Sequence, residues 1–118
     1  MANPYVRAAA NNLLQAAADK RYEEHEIQRQ IDAMRRQLDD QRRATDTQLH
    51  DDKDRLAHEP HGMNAAHVKQ HMNDLQKGLQ KTLHTGKEKL EELARYASSL
   101  ESQARSLEGE SRRLQLRA

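Results

Sequence analysis

Residues 57 to 64 read Ala57-His58-Glu59-Pro60-His61-Gly62-Met63-Asn64, and this stretch decides the fold. Pro60 has no amide hydrogen to continue a helix, and it biases Glu59 away from the α region. Gly62 supplies a turn, and Asn64 is of a type that caps a following helix. On either side almost every residue is a good helix former. Upstream, Asn3-Pro4 reads as an N-cap with proline at the first helical position, where the missing N–H costs nothing. No other proline or glycine occurs before Pro60. The expectation is one helix over 4–58, a turn at 59–63 and a second helix over 64–116, forming a single domain, 1–118.

The apolar spacing turns two helices into an all-α, antiparallel two-helix coiled-coil hairpin. Leu13, Ala17, Ile27, Ile31, Met34 and Leu38 recur at heptad seam spacing. So do Leu90, Leu93, Ala97, Leu100, Ala104, Leu107, Ser111 and Leu114. Each seam contains one eleven-residue step, Leu38 to Leu49 and Leu79 to Leu90, which locally unwinds a supercoil. Laying the steps opposite each other gives a register in which paired numbers add to about 128. Leu38 would then face Leu90, Leu49 would face Leu79, Ile31 would face Ala97, and Leu13 would face Leu114. Arg21 and Glu108 would face each other beside the seam. The acid-rich segment 46–59 would oppose lysines 69, 77, 81, 87 and 89, which disfavours the parallel alternative. Lys20, Glu24, Gln41 and Thr45 are polar seam positions that loosen the first arm. Gly86, following Thr85, is where the second helix could break, with a continuous helix the favoured reading.

Composition narrows the function classes. The 118 residues carry 33% charged side chains with a net charge of +1, three tyrosines as the only aromatics, and no cysteine. Leu, Ile, Val and Phe make up only 18 residues. That is too few for a sandwich or an α/β enzyme, whereas Ala, Glu, Lys, Leu and Arg at about half the chain match long helices. The cysteine count excludes disulfides, thiolate metal sites and thiol nucleophiles. No apolar run is long enough for a membrane span, so a cytoplasmic setting is the default. No phosphate loop or catalytic triad pattern is present, and an enzyme is not expected.

Three groups of residues remain as candidate sites. The apolar stripe broadens near the termini, where Val6, Leu13, Leu14, Leu114 and Leu116 outnumber what one seam needs. They are the expected interaction residues, docking a helical protein partner or a second copy in a dimer or larger bundle. Around the turn, His67-x3-His71 puts two imidazoles on one helical face. Asp74 lies a turn further on, and His50 approaches from the opposite arm. Zn²⁺, Ni²⁺ or Cu²⁺ accept such spacing, which makes this set the candidate metal ligands, against the plainer reading of a solvated helix end. Arg35-Arg36 and Arg42-Arg43 repeat at a heptad interval, but acids interleave with them and no aromatic accompanies them. A nucleic-acid role through this stripe is the least favoured of the three readings. The sequence thus points to a non-enzymatic interaction protein (an adaptor, assembly chaperone or stalk component). A metal-binding helical protein is the alternative.

Overall fold

The computed structural model describes residues 3 to 117. The fold is an all-α helical hairpin of two elements, α1 (Pro4–His58) and α2 (Met63–Arg117), with no strand among the described residues. Asn3 caps α1 as its sequence predicts: its side-chain oxygen accepts the Tyr5 N–H at 2.9 Å, and its carbonyl accepts the Arg7 N–H. α1 stops two residues before Pro60. α2 begins one residue earlier than the sequence suggests. Its cap is Gly62 rather than Asn64, because the Gly62 carbonyl accepts the first helical bond, from Ala66. Gly62 holds φ 98°, a left-handed conformation that costs glycine least. α2 runs through Gly86 without a break.

The contacts fall into two units. Unit 1 comprises the chain up to Ile31 and from Glu91 onward, and unit 2 is Asp32–Leu90, turn included. Each is an antiparallel pair of helical segments.

In unit 1 the seam alternates small and large residues. Ala10, Ala17, Ala97, Ala104 and Ser111 are buried at heptad intervals, with Leu100 and, toward the boundary, Ile27 and Ile31 buried between them. Small side chains let the backbones approach: the Ser111 hydroxyl donates across the seam to the Ala10 carbonyl at 2.8 Å. A fully buried leucine such as Leu100 contributes ~1.5–3 kcal/mol by area, but the alanines around it contribute far less.

Unit 2 is built differently. Its buried residues are Ala65, Gly86 and Asp52, while Leu38, Leu49, Leu79, Leu83 and Leu90 are only half-buried. The side chain of Leu38 packs directly onto the Gly86 backbone. That contact explains why the helix passes through Gly86: the glycine accommodates a leucine from the facing arm.

The pairing also corrects the register. In unit 2 Asp52 meets His71 and Leu38 meets Gly86, so paired numbers add to 123 and 124. In unit 1 Ala10 meets Ser111, a total of 121. The sequence-based value of about 128 is four or five too high in unit 2 and seven too high in unit 1. Seam positions recur every three or four residues, so a slip of four or of seven still sets seam against seam, and periodicity does not choose between these registers. The four-residue connection, Glu59–Gly62, does choose, because it holds His58 and Met63 at adjoining ends.

Candidate interaction surfaces

The five apolar residues expected near the termini all belong to unit 1, but they do not share one environment. Val6, Leu13 and Leu114 are half-buried along the seam. Leu14 is 41% exposed and Leu116 88% exposed, joined by Tyr5 at 85%. Leu116 follows Leu114 by two residues, which on a helix turns it toward the opposite face. The seam uses three of these side chains and leaves two leucines and a tyrosine in water.

Beside that seam lies a charged cluster. Arg21 donates from Nη1 to Glu101 at 2.6 Å and from Nη2 to Glu108 at 2.7 Å. The Arg21–Glu108 pairing is the one expected from the sequence; Glu101 is the addition. Arg105 also donates to Glu101, at 2.8 Å. The Arg105 hydrogen bond, then one from Glu24, holds the Glu101 carboxyl below the usual carboxylate range. The Arg21 hydrogen bond does the same for Glu108. Glu24, at a polar seam position, moves the other way: burial raises it first, and sharing a proton with Glu101 raises it further. On the other flank the Tyr96 hydroxyl donates to Glu23, a bond that raises the phenol.

The four candidate metal ligands lie in unit 2 and go to separate partners. The Nδ1 of His71 lies 2.6 Å from Oδ2 of Asp52. His50 lies 3.7 Å from Asp54, and Asp74 accepts from Gln70 at 2.9 Å. His67 lines a groove of about 590 Å³ with Asp54, Arg55, His58 and Glu59. Among the described residues no three His, Asp or Glu side chains converge as a metal requires. Asp52 is the residue that sequence reasoning passed over. It sits in Asp51-Asp52-Lys53-Asp54, which reads as solvated charge, yet it falls three after Leu49 and four before Leu56, on the seam itself.

The four arginines of the basic stripe also separate. Arg43 lies 3.9 Å from Asp39. Arg35 and Arg42 stand beside Leu38 on one side of unit 2. Neither described helix is long and apolar enough to cross a membrane. No protein-family model matches the chain, and no curated protein or solved structure matches it.

Proposed function

We propose that the protein is a non-enzymatic helical interaction protein of the cytoplasm, an adaptor, assembly chaperone or scaffold component. In this reading it associates through the terminus-proximal apolar side chains of unit 1, first with a second copy and then with a helical partner. The observation that carries the proposal is the imbalance between surface and core. The chain exposes 9023 Å², against roughly 6,600 Å² for a folded protein of its mass. The difference is of the order that stable helical interfaces bury. Leu14, Leu116 and Tyr5 are the large apolar groups in that surface nearest the termini. The alternative, metal binding at the turn, leaves the Asp52 bond to His71 Nδ1 in place and uses the open Nε2, but it requires His67 and His50 to move in beside it, since no three such ligands converge among the described residues.

Sedimentation of Leu14→Asp and Leu116→Asp tests the proposal, with His67→Ala as control. Both substitutions are at exposed positions, so helicity measured by circular dichroism should be retained. The expected result is weaker association in both charged variants and unchanged association in the control. Association that survives both charges, or that is lost in His67→Ala, refutes it.

A further inference from the structure

Unit 2 carries a second surface, and its origin is legible in the eleven-residue steps. From Leu79 to Leu90 the seam positions are Thr82 and Gly86, so Leu83 falls beside the seam rather than in it. From Leu38 to Leu49 the corresponding positions are Gln41 and Thr45. On the flank where Leu83 stands, a groove of about 500 Å³ opens beside Leu38 and Leu90. Its floor is Leu38, Leu83 and Leu90, and its rim is Arg35, Arg42 and Lys87. Among the described residues none of these three cations has a carboxylate within ion-pair distance. Asp39, the only acid lining the groove, lies 3.9 Å from Arg43, so the lining carries three cations against one carboxylate.

We propose that this groove docks an acidic amphipathic helix of a partner protein. Its apolar residues would lie on Leu38, Leu83 and Leu90, and its carboxylates would reach Arg35, Arg42 and Lys87. Charge complementarity selects the occupant: three unpaired cations around an apolar floor match a helix with leucines on one face and glutamates at its edges. Leu83 and Leu90 are seven residues apart, about 10 Å along α2, so two turns of a partner helix span the floor. Nucleic acid fits less well. The floor offers no stacking surface, since all three tyrosines belong to unit 1. This inference concerns a different unit from the association proposed above and does not depend on it.

The test uses the full chain and two fluorescent synthetic helical peptides, each with leucines at i, i+3, i+4 and i+7. One is flanked by glutamates and the other by lysines. The glutamate peptide is expected to bind, with affinity falling as salt rises, and the lysine peptide is not. Arg35→Glu with Arg42→Glu should weaken binding about tenfold or more. Arg36→Glu, one residue away but outside the groove lining, should leave it unchanged. Equal binding of the two peptides, or no binding of either, overturns the proposal. An equal loss in Arg36→Glu, together with binding of a single-stranded oligonucleotide, overturns it in favour of a general basic stripe. Loss of self-association in the double variant would make a second copy the occupant and overturn it as well. Leu14→Asp should not alter peptide binding, which keeps failure here distinct from failure of the association proposal.

Discussion

Three glycines stand inside α2, at 78, 86 and 109, and replacing each with alanine separates two opposing effects. In an exposed helix interior the change is worth ~1 kcal/mol of added stability, because alanine loses less backbone freedom on folding. Gly78 and Gly109 have nothing within 4 Å of where a Cβ would stand, so both should gain that amount, a rise of about 4 °C in Tm. At Gly86 the same atom would lie 2.6 and 2.7 Å from the two Leu38 methyls and 3.2 Å from its Cγ. Turning one methyl aside leaves the other and the Cγ in place, so the whole Leu38 side chain must swing out. Such overpacking costs ~1–3 kcal/mol, which cancels or exceeds the helix gain. Gly86→Ala should therefore be neutral or destabilising by up to about 2 kcal/mol. In a Leu38→Ala background the obstruction is gone, and the same substitution should stabilise by ~1 kcal/mol, like its two siblings. Urea melts followed by circular dichroism, at one fixed protein concentration, read all five variants. If Gly86→Ala alone stabilises as much as Gly78→Ala, Leu38 does not pack onto the Gly86 backbone and the register described for unit 2 is wrong.

Two further perturbations act on buried or networked charge. His71→Ala removes the partner of the buried Asp52 carboxylate and should cost ~1–3 kcal/mol, while Asp52→Leu restores an apolar seam position and should be neutral or stabilising; equal losses from both in thermal melts would contradict this. In unit 1 the depressed Glu101 and Glu108 carboxyls contribute stability that is present above the ordinary glutamate value of 4.5 and lost as pH falls through their lower folded values. Glu24, shifted upward, works with the opposite sign and is relieved by acid. Midpoints measured from pH 7 to pH 3 should thus fall on the acid side of 4.5, and Arg21→Met should flatten that fall; an unchanged acid limb would remove Arg21 from the account.

Much of the fold was legible because helix boundaries are local properties. Asn3, Pro4, Pro60 and Gly62 act through their own backbone chemistry, and they stand where the helices begin and end. Arg21 with Glu108 was legible for a related reason, since a long side chain beside a seam reaches carboxylates two turns apart and tolerates a register error. What the sequence could not supply is any quantity that repeats. A slip of four or of seven still sets seam against seam, so the facing of Leu38 with Gly86 rather than Leu90 is set by the connection and not by the pattern. Asp52 was hidden by its neighbours: a carboxylate in an acidic run reads as solvated until the facing arm presents His71. The arginine stripe was visible as four residues, but only packing separates Arg35 and Arg42, which line the groove, from Arg36 and Arg43.

The two units meet the same shortage of apolar residues in different ways. Unit 1 places alanine or serine at every second seam position, which draws the backbones close enough for Ser111 to reach the Ala10 carbonyl. Leu14, Leu116 and Tyr5 lie off that seam and stay exposed. Unit 2 interrupts its seam with Gln41, Thr45, Thr82 and a buried Asp52, and none of its leucines is fully buried. Its apolar surface is therefore open at the seam itself. Anything that binds only the folded form adds stability by mass action, ~2.7 kcal/mol at a hundred times its dissociation constant. If the chain self-associates as proposed, its melting midpoint should therefore rise with protein concentration, and a midpoint independent of concentration would count against that proposal.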